Sequence, residues 1–413
     1  MPRVCMLTRR LPHCHSATLL FVALLSLLPL LPQLALAQSS PPPGWTAFTR
    51  QFDAYAATDS DVGASVWVLS NGKVIARHEY GWADRALHQG VDTGTIFHWA
   101  SITKTLTAIA VMQLRDRGRL SLNDPVTKWI PELRQVHDPY GSMDSVTIAM
   151  LLSHAAGFQA PTWPWTKGRP WEPFEPQHWS QLVAMMPYEE LLFKPGAHYS
   201  YSNPGFVYLA RIIELITDDS WENYVQKNIL SPLHLTRSYF GTTPYYLQAE
   251  RSNNYTVERD SVTDRDTVVA NGRDFDPGIT IPNSGWNAPL GDLATYLAFL
   301  TGVTPNDSVL SHATLEEMWR ARYVTDPSPA VPDSIGLSFF VLHRAGQRFV
   351  GHTGEQAGFR SFMYLNPETR AAVVANFNTL NDAHYQASGR GFDTVRDSAL
   401  ALIARLTPST TQH

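Results

Sequence analysis

Ala64-Ser65-Val66-Trp67-Val68-Leu69-Ser70-Asn71-Gly72-Lys73-Val74-Ile75-Ala76 sets two β-prone runs on either side of an Asn-Gly pair. That pair suits the two left-handed positions of a type I′ turn, so the stretch reads as an antiparallel hairpin. Apolar runs of the same kind return late, at 336–342, 361–365 and 371–377, and a final helix is suggested by Val395, Leu400, Leu402 and Ile403. Between them, from about 120 to 296, short helical patterns alternate with Pro/Trp loops, most clearly at 148–152 and 208–216. Strands at both ends with helices between predict an α/β fold of the α+β type. One antiparallel sheet is built from both chain ends and flanked by helices, with a mainly helical lobe inserted at about 120–296.

The chain has 413 residues, 44% hydrophobic and 17% charged, enough apolar matter for a large core, which excludes disorder and fibrous repeats. Arg3, Arg9 and Arg10 precede an apolar run over 17–36 that ends at Ala35-Leu36-Ala37, the layout of a secretory signal peptide. The expected organisation is a signal peptide at 1–37, a Pro-rich lead-in at 38–44, one domain at 45–405 and a tail at 406–413, with a periplasmic or secreted product. Both cysteines, Cys5 and Cys14, fall in the leader, so disulfide, thiol and cysteine–metal chemistry is excluded from the domain. The segment contains basic but no acidic residues, so the domain is more acidic than the whole-chain net charge of −5, which argues against a nucleic-acid partner. Fifteen histidines include no His-Glu-x-x-His or comparable cluster, so neither a metal nor another cofactor is expected.

Ser101-Ile102-Thr103-Lys104 stands where Leu106, Ile109, Ala110 and Leu114 begin a helical pattern that Gly118 can stop. A hydroxyl and an amine three residues apart at a helix start share one face, and burial together with the positive end of the helix favours the neutral amine, a base for the serine. Ser70 to Lys73 repeats the spacing but spans the hairpin turn, where the side chains aim apart. Tyr201-Ser202-Asn203, in a loop before a helix, offers a phenol to relay a proton and an amide to orient a carbonyl or the lysine. The similar Tyr364-Leu365-Asn366 lies in a predicted strand and suits the sheet and its closing turn. His352-Thr353-Gly354 follows apolar Phe349-Val350, a strand edge on which glycine lets a substrate approach, and the amides of Glu355 and Ser101 could form an oxyanion hole.

In this order the three elements resemble the serine β-lactamase and penicillin-binding protein superfamily, in its class C-like branch of D,D-peptidases and esterases. The likeness runs from about Trp45 to Leu402, and Leu120-Ser121-Leu122-Asn123-Asp124-Pro125, Leu151-Leu152-Ser153-His154-Ala155-Ala156-Gly157, Pro195-Gly196 and Gly358-Phe359 also fit it. The resemblance implies Ser101 as acylated nucleophile, Lys104 as its base and Tyr201 as the group that protonates the leaving atom and activates water. It further implies that Asn203 positions substrate and Lys104, and that His352, Thr353 and Gly354 wall the pocket. Histidine stands where class C β-lactamases carry lysine, and Glu355 where a small hydroxyl residue is common; both grip a substrate carboxylate poorly. The implied activity is hydrolysis of an ester or amide, by a D-Ala-D-Ala-type peptidase on cell-wall peptide or by a carboxylesterase, with β-lactamase and a silent penicillin-binding-like module as rivals. Two further stretches bear on it. Trp163, Trp165, Trp171 and Trp179 among five prolines read either as an aromatic loop over the site or as a packed irregular loop, whereas 250–273 reads as a solvated excursion. His154 is expected to anchor a loop.

Overall fold

In the computed structural model, the described residues are 41–160, 165–166, 169–170 and 176–406. The leader, most of the Trp/Pro loop and nearly all of the tail lie outside them. The 64–76 stretch forms β1 (Gly63–Ser70) and β2 (Lys73–Asp84), joined by Asn71 and Gly72, both with positive φ, as a type I′ turn requires. A short β3 (Gln89–Gly90) follows; β4 (Tyr323–Asp326), β5 (Asp333–Ile335), β6 (Phe340–Arg344), β7 (Gln347–Gln356), β8 (Phe359–Asn366) and β9 (Ala371–Phe377) come from the other end. They make one nine-stranded antiparallel sheet in the order β4-β5-β6-β7-β8-β9-β1-β2-β3. Early and late strands meet inside the sheet where β1 pairs with β9, Ala64 opposite Phe377 and Ser70 opposite Ala371.

Central strands read as continuous apolar runs because both faces are covered. Along β1, Ala64, Val66 and Val68 point into one core with α1 (Trp45–Asp59) and the C-terminal helix Tyr385–Ile403. Trp67 and Leu69 point into the larger core on the opposite face. That second core holds α2 (Thr103–Asp116), α3 (Ile148–Leu152), α4 (Pro204–Thr217) and α5 (Leu290–Leu300), after which the C-terminal helix is α6. Every residue of α2 from Thr103 to Leu114 is buried, so this helix runs through the core, with its polar members Thr103, Lys104, Thr105, Thr107 and Gln113 hydrogen-bonded there.

Three details depart from the sequence reading. The 120–296 lobe also contains a long hairpin, Asn254–Asp260 with Arg265–Gly272, whose first strand pairs in parallel with Thr379–Asn381. The 250–273 excursion is exposed over 258–267, where Arg259 meets Asp264 and Asp266, but its root, Arg251 to Tyr255, is buried and is flanked by further ion pairs of Glu250 with Arg237, Arg251 with Asp274 and Arg273 with Asp84. Helix α1 was not read from the sequence, although Trp45, Phe48, Phe52, Tyr55 and Ala56 recur at helical spacing and face one core.

Candidate active site

Ser101 sits in the short 3-10 turn Ala100–Ile102 that opens α2. Its neighbours pin the turn: Trp99 donates its backbone N–H to Trp286 O (2.8 Å) and its indole N–H to Ala288 O (2.9 Å). Asn376 of β9 donates to His98 O (2.8 Å), and Ala100 takes a left-handed φ of 46°. The serine hydroxyl is not spent on capping the helix. Instead its Oγ lies 3.0 Å from Lys104 Nζ and accepts a 2.8 Å hydrogen bond from the Tyr201 hydroxyl. The three groups named from the sequence therefore converge, across a hundred residues of chain.

Lys104 is fully buried, and that desolvation holds its amine well below the usual lysine range. A neutral Nζ has a lone pair for the serine proton while it donates to Asn283 O at 2.9 Å. This carbonyl, on the helical turn Ile281–Ser284, is the lysine's second partner; the Asn203 side chain expected there makes no hydrogen bond to it. Asn203 leads into α4 without capping it, and its Oδ1 is buried without a partner beside the cleft, an amide left free for a ligand. Burial raises the Tyr201 phenol above its ordinary value, so at neutral pH it is a proton donor.

Tyr201 is aimed by His154. The His154 carbonyl accepts from Ser200 N (2.8 Å), its Nδ1 accepts from Ser202 N (3.1 Å), and its ring stacks on the phenol at 4.3 Å and 28°. Burial and the nearby Lys104 keep this imidazole neutral, which the acceptor role requires. The sequence suggested a loop anchor; the loop anchored is the one that carries the phenol.

Strand β7 closes the other side. Its partner β6 pairs only as far as Gly351, so from His352 to Gln356 one edge of β7 is left without a strand on the β6 side. A Cβ on Gly354 would lie 2.3 Å from Trp99 O and 2.6 Å from Ser361 Oγ, so only glycine lets this edge press on the Ser101 turn. His352 is buried, and burial with the adjacent Lys104 pushes its imidazole down to about 3. It is neutral in the working range and offers no cation to an anionic substrate.

The cleft between these elements has a volume of about 370 Å³ and is lined by Ser101, Tyr201, Asn203, the 352–355 edge and the rings of Tyr199 and Phe340. Its far wall holds residues the sequence reading missed, Arg360, Tyr385 and Phe392. Glu355 Oε2 accepts from Arg360 Nε (2.8 Å) and NH2 (2.7 Å), and Oε1 accepts from Tyr385 Oη (2.7 Å). The signal for Arg360 was legible. Ala357 and Gly358 form a two-residue turn with φ of 49° and 81°, which places residues 355 and 360 opposite one another. Among the described residues no grouping of three His, Cys, Asp or Glu is suited to a metal ion.

The two decoys are resolved by position. Ser70 and Lys73 flank the β1–β2 turn, and Tyr364 is buried in β8 while Asn366 accepts from Glu368 N and Thr369 N in the turn that follows. Of the Trp/Pro loop, Trp179 packs beside Tyr208 with the Arg211 guanidinium over its ring; the side chains of 161–175 lie outside the described residues.

The chain is 26% identical over 322 residues to Protein flp of Staphylococcus aureus (strain COL), a match covering 77% of this chain and 60% of that one. It thus spans well under two thirds of that relative's length. Among solved structures, an octameric penicillin-binding protein homologue from Pyrococcus abyssi superposes with a TM-score of 0.72 at 26% identity, covering 89% of this chain and 78% of the other. A class C β-lactamase shares the fold at a TM-score of 0.68 and 20% identity, over 89% and 96% of the two chains. The β-lactamase family model matches residues 48–395, from the first helix to the last. With a sheet built from both ends and a serine, a buried lysine and a phenol meeting at one cleft, the chain belongs to the β-lactamase family.

Proposed function

We propose that this protein is an exported hydrolase that cleaves an ester or amide through an acyl-enzyme on Ser101, as a carboxylesterase or a D-Ala-D-Ala-type peptidase. The observation that carries the reading is the shared hydrogen-bond distance of the Ser101 Oγ to a desolvated amine and to a protonated phenol. Ser101 Oγ attacks the carbonyl carbon as its proton passes to Lys104 Nζ, and the oxyanion rests on the backbone amides of Ser101 and Glu355. Tyr201 gives its proton to the leaving oxygen or nitrogen as the C–O or C–N bond breaks, and the proton on Lys104 restores the phenol. Water then adds to the acyl carbon, loses a proton to the same Lys104–Tyr201 pair and releases the acid, returning that proton to Ser101. Asn203 and the free edge of β7 hold the substrate. No step calls for a cofactor.

Export rests on Arg3, Arg9 and Arg10 ahead of the apolar run and on Ala35-Leu36-Ala37; a mature N-terminus at Gln38 in protein recovered outside the cytoplasm tests it. The chemistry is tested with a fluorophosphonate probe and a small panel: a p-nitrophenyl ester, a D-Ala-D-Ala peptide and a chromogenic cephalosporin. The label is expected on Ser101 by peptide mapping, with turnover lost in Ser101→Ala. Unchanged hydrolysis by that variant, or a wild-type protein that takes no label, overturns the proposal.

A further inference from the structure

Besides Lys104 beneath the nucleophile, two described residues lining the cleft can carry positive charge, His352 and Arg360. His352 is held neutral by burial. Arg360 remains a cation but is fully committed. Nε and NH2 both donate to Glu355 Oε2, NH1 donates to Ser388 Oγ (2.7 Å), and the guanidinium stacks over Tyr385 and Phe392 at 5.5 and 5.4 Å. Ser388 Oγ in turn donates to Asp59 Oδ2 (2.7 Å), which places a second carboxylate behind the arginine. The Arg360 side chain is 4% exposed and the Glu355 side chain 33%, so of the two charges on this wall the carboxylate is the more accessible. A substrate reaching this wall meets a carboxylate and a phenol, with the cation behind them.

We infer that Glu355 is a specificity determinant: by occupying the Arg360 guanidinium it denies the cleft a cation, so the enzyme takes esters and amides whose far end is uncharged or cationic and rejects those ending in a carboxylate. The inference rests on the hydrolase reading above and narrows it, away from peptides with a free C-terminal carboxylate and toward neutral acyl groups. Specificity here comes from an unfavourable charge placed against the wrong substrate.

Three p-nitrophenyl esters of phenylacetic acid test it, identical except at the para position, which carries hydrogen, a carboxylate or a trimethylammonium group. In the wild type, kcat/KM for the carboxylate ester is expected about 10-fold or more below that of the parent, with the trimethylammonium ester level with it or faster. Glu355→Gln removes the negative charge on the cleft side of Arg360 and leaves only Asp59 behind it, so the ratio of carboxylate to parent turnover, read within the one variant, rises by about 10-fold. The added change Arg360→Met takes back the part of that rise due to the freed cation and leaves the smaller part due to lost repulsion. Equal or preferential turnover of the carboxylate ester by a wild-type enzyme that labels at Ser101 overturns this inference alone. An unmoved ratio in a Glu355→Gln enzyme that still labels does the same. A wild type that neither labels nor hydrolyses any of the three overturns the hydrolase reading and this one with it.

Discussion

Replacing Gly354 by alanine tests the contact between the nucleophile's turn and the substrate-binding edge. The new Cβ would stand 2.3 Å from Trp99 O and 2.6 Å from Ser361 Oγ. Ser361 Oγ is one torsion from its backbone and can swing aside. The Trp99 carbonyl cannot, because its residue is tied to Trp286 and Ala288 by two hydrogen bonds of 2.8 and 2.9 Å. Strand β7 must therefore retreat by about 1 Å, the shortfall from ordinary contact, and forcing a methyl into so tight a place costs about 1–3 kcal/mol of stability. Moving the edge and the Glu355 amide that far from Ser101 is expected to lower kcat/KM about 100-fold, since a displacement of that size at a reacting centre has that order of effect. In barrier terms this is about 2.7 kcal/mol. Ester hydrolysis under steady-state conditions gives the rate, and a thermal melt shows that the variant is folded. A folded Gly354→Ala enzyme with undiminished kcat/KM would refute the placement of β7 against the Ser101 turn.

Lys104→Arg replaces the neutral amine by a guanidinium that stays protonated and cannot act as a base, and acylation is expected to fall by about 10²–10⁴-fold, measured as the rate of fluorophosphonate labelling. In the wild type the same rate should rise with pH through a lysine ionisation well below the ordinary lysine value and then level off; a profile still rising at the usual lysine pKa contradicts a desolvated amine. His154→Leu removes the acceptor of the Ser202 N–H and the ring under Tyr201, so kcat should drop by about 10-fold with a loss of about 1–3 kcal/mol for the unpaired donor. His154→Asn, which tolerates the left-handed φ of 53° and can accept that bond, should recover stability more than kcat. Glu189 is buried with Tyr208 Oη donating to Oε2 at 3.1 Å, and burial lifts its carboxyl to about 7. A raised acid pKa means the folded state holds the proton more tightly, so its contribution is complete below the ordinary glutamate value and is lost as pH rises through about 7. The loss approaches about 3 kcal/mol at alkaline pH. Glu189→Gln should flatten the fall in Tm between pH 5 and 8, and an identical slope in the variant would count against a buried protonated carboxyl.

Local signals made the frame of the fold legible. Asn71-Gly72 fixed the hairpin because few residues accept two successive left-handed conformations, and the runs at 361–365 and 371–377 fall inside β8 and β9. The helix entrance at Ser101 was legible for a similar reason, an apolar helical period with a small polar residue before it. The second partner of Lys104 was not. Asn283 O lies 179 residues away, and a backbone carbonyl leaves no mark in the identity of its residue. Arg360 was within reach of the sequence, since Glu355-Gln356-Ala357-Gly358-Phe359-Arg360 is a hairpin with opposite charges across it, but Gly358-Phe359 drew the reading away from the pair. The root of the 250–273 excursion was misjudged because Arg251 and Asn254 are polar by type yet held by local hydrogen bonds, Arg251 Nε to Arg273 O and Asn254 Nδ2 to Gly272 O.

The pairing of β1 with β9 dictates when the protein can first work. Ala64 waits for Phe377, more than three hundred positions later, and the turn bearing Ser101 takes its final support from Asn376 of the same late strand. The nucleophile's turn therefore lacks its full support until β9 has been made and has paired. So distant a closure is slow to find, because the entropy of a long loop must be met before any strand contact repays it.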